Sequence, residues 1–337
     1  MSSQYRMYSI IIPSYNRADE LAELFETIEK LNFPPDRFEV VVADDGSTDS
    51  TPQFIEQAVS RFSFQLGYFT QHKKGPGAAR NLGMEKAKGD FFIFIDSDVL
   101  LPEDWLKNID ESLQQEQADA FGGPDTYLDS FSPLLKAINY TMTSFITTGG
   151  LRGKKGKKLA KYYPRSFNMG LSKKLWKKIG GFHPRFYGED IEFSHRIINS
   201  GARVIFIESA FLYHKRRTNL TKFFRQVYRM GSARIFLYKI DAKMLEPLHT
   251  LPALATLLAL AISLLAIFFR PFRLLFDLGL AFALLILLIA IADCLQMYKE
   301  YKPALWLPLV IPAQVFGYGS GFIISYIRRV ILNQNFE

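Results

Sequence analysis

The chain is almost without cysteine. Its 337 residues hold one, Cys294, so no disulfide can form within it. That fits a reducing compartment for its soluble part. Acidic residues are missing over one long stretch. From Ser130 to Gly188 there is no Asp or Glu, while the same stretch holds 13 Lys and Arg, including those of "RGKKGKKLAK" at 152–161. The formal net charge is +8, so the rest of the chain is net acidic. A block of one sign points to an anionic partner such as lipid headgroups or phosphates; the plainer alternative is a solvated loop. A secretory leader is not evident either. "MSSQYRMYSIIIPSYN" offers only Ile10 to Ile12 before Pro13, too short an apolar core, so the first half is expected in the cytosol. No G-x-G-x-x-G follows the first apolar run, which argues against a dinucleotide dehydrogenase. The basic block contains no recognisable nucleic-acid module, so no nucleic-acid partner is expected.

Charge is also scarce near the C-terminus. Residues 248–269 and 304–327 carry none, and 274–292 carry only Asp277. Each stretch is about long enough for the ~30 Å hydrocarbon core of a bilayer, so 248–330 reads as a membrane domain of about three helices. The preceding segment, 221–247, contains "TKFFRQVYRMGSARIFLYK", a basic and aromatic amphipathic pattern expected to lie at a bilayer surface. The expected location is the cell membrane, multi-pass, with the first half of the chain on the cytoplasmic side. Three full crossings would leave Arg270, Arg273, Arg328 and Arg329 outside and Lys299 and Lys302 inside, against the positive-inside tendency. A re-entrant segment turning at "RPFR" (270–273) is the alternative.

What is plentiful lies in the first 220 residues. Apolar runs "YSIIIP" (8–13), "FEVVVADDGS" (38–47), "FQLGYFT" (64–70) and "FFIFIDSD" (91–98) read as buried strands. Helical patterns alternate with them at 18–31, 50–61 and 77–88. The alternation predicts a mostly parallel α/β sheet covered on both faces, with ligands beyond the carboxyl ends of its strands. Those ends are polar: "PSYNR", "DDGSTDS" and "DSD". Asp96 and Asp98 follow an entirely apolar strand, where unpaired carboxylates are costly. Two carboxylates at i and i+2 suit one Mn²⁺ or Mg²⁺ ion shared with a diphosphate. Alone, "DSD" reads equally as a turn before a helix at Pro102. "GPGAARNLG" (75–83) opens a helix whose N-terminus favours anions, with Lys73, Lys74 and Arg80 nearby.

Taken in order, "IIPSYNRADELAELFETI", "EVVVADDGSTDST", "GPGAARNLGMEKAKGDFFIFIDSDVLLPEDWL" and "GED" resemble a family 2 glycosyltransferase of the GT-A fold over about residues 8–215. The layout is similar to membrane-bound bacterial enzymes of exopolysaccharide assembly, of the succinoglycan type. The resemblance implies a catalytic domain over 1–220, with a nucleotide-binding half (1–120) and an acceptor-binding half (121–220). It implies that Pro13, Tyr15 and Arg17 line the nucleotide pocket, that Asp45 and Asp44 hold the nucleoside, and that Lys74, Arg80, Asp96 and Ser97 bind the nucleotide sugar. Asp96 and Asp98 would meet the metal, with His214 of "FLYH" where some relatives place a ligand. Asp190 would be the general base and Glu189 its companion. Asn168, Met169 and Gly170 would contact acceptor, as would Gln226 and Arg229 of "RQVYRMG", where Met230 stands in place of a tryptophan used by processive polymerases.

The expected activity is therefore a metal-dependent inverting hexosyl transfer from a nucleotide-diphosphate sugar, taken as uridine-linked, to a hydroxyl of a lipid-linked saccharide. One alternative is transfer to polyprenyl phosphate itself. Another is a catalytically idle nucleotide-binding assembly subunit.

Overall fold

The computed structural model describes residues 6–148, 163–183, 188–215 and 219–334. The basic run at 152–161, and the anionic partner expected from it, lie outside them. The chain divides into two compact units, Met1–Tyr127 with Tyr163–Lys215 and Leu128–Tyr162 with Arg216–Glu337.

The first unit opens as strand–helix alternation: β1 (Tyr8–Ser14), α1 (Ala18–Ile28), β2 (Phe38–Asp44), α2 (Thr51–Arg61), β3 (Gln65–Thr70), α3 (Pro76–Lys86) and β4 (Phe91–Ile95). Then come β5 (Val99–Leu100), α4 (Trp105–Glu116), β6 (Ala120–Gly122) and β7 (Asp125–Thr126). The second unit intervenes with α5 (Pro133–Thr143) and α6 (Phe145–Thr148). The first unit resumes with β8 (Asn168–Ser172), α7 (Lys173–Ile179), α8 (Glu189–Asn199), β9 (Val204–Phe206) and β10 (Leu212–His214). The main sheet has the order β3-β2-β1-β4-β8-β6-β9. Its first four strands are mutually parallel, and β8 runs antiparallel to both β4 and β6.

Period-two alternation explains the unbroken apolar runs, because each face of the sheet has its own cover. Ile10, Ile12, Val40, Val42, Ile93 and Ile95 face a cluster completed by Leu21, Phe25 and Trp105. Ile11, Val41, Phe92 and Phe94 face the other way, onto Met84, Met169, Phe182 and Phe193. Phe91 to Ile95 are wholly buried, so the chain meets its first polar position at Asp96, just as β4 ends.

The "NMG" segment proves to be core. Asn168, Met169 and Gly170 form β8, opposite Ile95, Phe94 and Ile93, and all three are buried. The Asn168 amide donates to Ala210 O at 2.7 Å and Pro124 O at 3.1 Å, and accepts from Trp105 Nε1 at 3.3 Å. It ties β8 to the loops before β7 and β10, and has no surface left for an acceptor.

In the second unit, α9 (Leu220–Ile240), α10 (Pro247–Phe268), α11 (Arg270–Tyr298) and α12 (Leu307–Tyr326) follow in order. Three helical segments, Pro247–Phe268, Arg270–Tyr298 and Ala304–Ile331, are long and apolar enough to cross a membrane. "RPFR" is not a turn but the first turn of α11, with Pro271 where a missing N–H costs nothing; only Phe269 separates α10 from α11. α5 belongs with these helices, unlike in the division that places 121–220 in one acceptor half. The reason is a polar latch. Asn139 Nδ2 donates to Tyr298 Oη at 3.0 Å, Tyr298 Oη to Lys136 O at 2.9 Å, and Tyr140 Oη to Asp293 Oδ2 at 2.8 Å. Lys136 also pairs with Glu300.

Asn168→Ala should destabilise the protein by at least about 2 kcal/mol, since buried groups left unpartnered cost ~1–3 kcal/mol each. Thermal unfolding of the detergent-solubilised protein would show a lower midpoint. An unchanged midpoint would refute the role given to this amide.

Candidate active site

Five of the sequence-expected site residues, Asp96, Asp98, His214, Arg80 and Glu189, meet beyond the end of β4. Two short devices bring them there. The first is a three-stranded sheet, β5-β10-β7. β10 pairs antiparallel with β5, setting His214 opposite Val99, and parallel with β7, setting Leu212 opposite Asp125. The Lys215 N–H then donates to Asp98 O at 2.9 Å. His214 is thereby held between two carboxylates, with Nε2 3.3 Å from Asp98 Oδ1 and Nδ1 3.3 Å from Asp125 Oδ2. Asp96, Asp98 and His214 each offer one donor atom, all within 4.8 Å of one another. Two carboxylate oxygens and an imidazole nitrogen suit Mn²⁺, and Mg²⁺ where oxygen donors from substrate complete the shell. Asp125 fixes the ring from Nδ1 and leaves Nε2 on the side of Asp98, the usual division of labour around a metal-bound imidazole.

The second device is Arg80, on α3. It is 5% exposed. Its Nη2 donates to Asp96 Oδ1 at 2.7 Å and its Nη1 to Glu189 Oε1 at 3.0 Å. The "DSD" and "GED" motifs are thus joined through one guanidinium, whose planar fork suits two carboxylates. Gly77 makes room for this. A Cβ there would lie 2.3 Å from Glu189 Oε2. Asp190, at the next position of α8, is more open, and its Oδ2 lies 3.5 Å from Arg165 Nη1.

The pKa shifts follow the burial and charges. Burial pushes the Glu189 carboxyl up; Arg80 pulls it back, while Asp190 and Asp96 add to the rise, leaving it at about 7. Burial opposes a charged His214, but Asp98 and Asp125 outweigh it and hold its pKa at about 9. Without a cation, a proton on His214 balances the carboxylates around it.

The two aspartates of "DDGSTDS" do different work. Asp44, buried, accepts from Tyr68 Oη at 2.9 Å and from the Ser47 N–H at 3.0 Å, closing the turn in which Gly46 takes φ +86. Asp45 accepts from Gln71 Nε2 and Lys74 N, both at 2.7 Å, and from Gly75 N at 2.8 Å. It therefore fixes the loop that starts α3. Pro13 lies near the end of β1, with Tyr15 exposed beyond it; the Lys73 ammonium sits 4.3 Å from the Tyr15 ring centroid. Arg17 pairs with Glu20 at 2.5 Å. Ser97 is buried and Lys74 is exposed. Gln226 and Arg229 lie on α9, in the second unit.

Sequence reasoning missed three contributors. Asp125 sat in "GGPDTY", read only as a turn. Arg165 was one cation among many. Asn16, with φ 53, accepts from the Thr48 N–H at 2.7 Å and knits the ends of β1 and β2; only its place directly after "PSY" signalled it.

Residues 9–180 match glycosyl transferase family 2. The chain belongs to this family. Over 112 residues it is 34% identical to poly(ribitol-phosphate) beta-N-acetylglucosaminyltransferase TarS of Staphylococcus aureus, covering 33% of this chain and 20% of that protein. The match thus spans a fifth of TarS. Over 244 residues it is 22% identical to glycosyltransferase AglE of Haloferax volcanii, covering 72% and 77%. Among solved structures, the mannosyltransferase PcManGT of Pyrobaculum calidifontis, in complex with GDP-Man and Mn²⁺, aligns with a TM-score of 0.65 at 18% identity, over 99% of this chain and 89% of that one. That likeness shows a shared fold. Family 2 membership and this fold agree with the GT-A architecture expected from the strand ends.

A pH dependence follows for the metal-free protein. His214 is raised from 6.5 to about 9 on folding, so its stabilising contribution is complete below pH 6.5 and is lost as pH rises through about 9. In chelator, the melting temperature should fall over that window, and His214→Gln should flatten the fall. An identical slope in the variant would remove His214 from the cluster's charge balance.

Proposed function

We propose that this family 2 member is a membrane-attached inverting glycosyltransferase. It takes a sugar from a nucleotide-diphosphate donor, read as uridine-linked, and passes it to a hydroxyl of a lipid-linked saccharide. The observation that carries the reading is the convergence of Asp96, Asp98 and His214 beside the Arg80–Glu189 bridge, where an open sheet binds ligands.

The residues divide the work as follows. Pro13, Tyr15, Arg17 and Asp45 flank the loops that would take the nucleoside. Asp96 and Asp98 with His214 would hold Mn²⁺ or Mg²⁺, which when bound supplies positive charge for the diphosphate that departs. Arg80 keeps Asp96 in place and is too buried to be a flexible diphosphate ligand itself. Asp190 takes the proton of the attacking acceptor hydroxyl as oxygen bonds to the anomeric carbon and the bond to the diphosphate breaks. It suits that task better than Glu189 because it is the more open of the two, whereas Glu189 is buried against Arg80. Arg165, at 3.5 Å, orients Asp190. Three long apolar helices support membrane attachment, and PcManGT, which shares the fold and holds GDP-Man, supports a nucleotide-sugar donor.

The test is nucleotide diphosphate release by detergent-purified protein from a panel of nucleotide sugars, with Mn²⁺ and a lipid extract as acceptor. One donor should be turned over, and Asp190→Asn should lower transfer by about 10²–10⁴-fold, the usual worth of a general base. Donor binding should be retained. A mild effect of Asp190→Asn would favour a phosphate acceptor, which needs little base catalysis. No turnover of any donor would favour an idle nucleotide-binding subunit.

A further inference from the structure

The three long apolar helices differ in what covers them. Within their most apolar windows, 11% of α10 and 6% of α11 are buried against protein, but 33% of α12. Much of what covers α12 is α9, and α9 is a charged helix. Lys222, Arg225, Arg229, Arg234 and Lys239 recur along it at intervals of five residues or fewer, and Lys222, Arg225, Arg229 and Lys239 are exposed.

The two helices run side by side in the same direction. Phe224 and Val227 meet Gly317; Tyr228 meets Gly321; Gly231 meets Tyr318; Ser232 Oγ lies 2.5 Å from Ser325 Oγ; Lys239 Nζ donates to Arg329 O at 2.9 Å. A Cβ on Gly231 or Gly321 would come within 2.0 Å of the facing carbonyl oxygen, so the backbones are in direct contact. Small residues commonly allow such packing between helices. Successive levels from Gly317 on α12 to Arg329 in the π-helical turn that follows it are therefore matched by levels of α9 from Phe224 to Lys239.

This pairing decides how α12 meets the bilayer. If α12 crossed, α9 would be carried into the hydrocarbon beside it, with exposed Arg225 and Arg229 inside the paired stretch. Such a charge in the core is costly. Apolar length alone made α12 resemble a span. We infer that α12 does not cross: α9 and α12 lie together in the plane of the membrane, at the boundary between headgroups and acyl chains, and only the α10–α11 hairpin crosses. α10 contacts this pair near its start, through Pro252, Ala253 and Thr256. Its 22 residues reach about 33 Å at 1.5 Å per residue, enough for one crossing. The pair presents basic side chains suited to anionic headgroups, and exposed Leu309, Phe316, Ile324, Ile327 and Ile331 suited to acyl chains.

Charge then sorts more sensibly. Two crossings return the chain to its starting side. Arg328 and Arg329 join Lys299 and Lys302 there, and only Arg270 and Arg273 remain at the far tip, which lessens the conflict with the positive-inside tendency.

The inference rests on membrane attachment, and the test separates the two. In a Cys294→Ser background, single cysteines replace Phe269, Lys302 or Asn333, and full-length protein is labelled with an impermeant maleimide in intact cells and in inverted vesicles. Lys302→Cys and Asn333→Cys should be silent in intact cells and label in inverted vesicles; Phe269→Cys should do the reverse. Asn333→Cys labelling with Phe269→Cys would overturn the in-plane placement of α12. Release of the protein by alkaline carbonate would overturn membrane attachment as well. Gln334→Cys serves as a second reporter should Asn333→Cys misfold.

Discussion

Negative charge is concentrated beyond the end of β4, and the surrounding arrangement is organised by the need to balance it. Asp96, Asp98, Asp125, Glu189 and Asp190 are brought together at the edge of a core whose strand is wholly apolar up to Ile95. Five like charges so placed would repel one another strongly in a medium less polar than water. Among the described residues, three cations answer them: Arg80 between Asp96 and Glu189, His214 between Asp98 and Asp125, and Arg165 beside Asp190. The upward shifts of Glu189 and His214 follow from this crowding: burial with the neighbouring acids disfavours the Glu189 carboxylate, and Asp98 with Asp125 favours the charged imidazole. A divalent cation at Asp96, Asp98 and His214 would replace the imidazole proton with a stronger charge, in position for a diphosphate.

The fold supplies this arrangement from distant parts of the chain. β4 delivers two carboxylates, α3 the arginine, α8 two more acids, and the β5-β10-β7 sheet the imidazole and its orienting aspartate. Asp45 contributes indirectly, by fixing the loop that starts the helix bearing Arg80. Small residues decide close approaches in both units. Gly77 lets α3 reach Glu189, and Gly231 and Gly321 let α9 and α12 touch.

Much of the first unit was legible in the sequence because a sheet covered on both faces writes itself as continuous apolar runs, and parallel connection writes itself as alternation. Asp96 and Asp98 stood out because such runs seldom end in paired acids. Asp125 did not, because β5, β7 and β10 are two or three residues long and carry no readable period; their pairing is decided by contacts far apart in the chain. Arg80 was noticed as charge near a helix start, but its burial between two acids is a tertiary fact. "NMG" read as a binding motif, whereas Asn168 spends its amide on loop carbonyls. α12 shows the limit of hydropathy: composition gives a helix that could cross, while its partner's charges decide that it stays in the plane.

The most direct test of the central claim is Mn²⁺ binding to the full-length detergent-solubilised protein, measured by titration calorimetry with and without nucleoside diphosphate. The account predicts that the nucleotide tightens Mn²⁺ binding, and that Asp96→Ala with Asp98→Ala abolishes both the binding and the coupling while the fold survives. Mn²⁺ binding that is indifferent to nucleotide, or unchanged in the double variant, would contradict it.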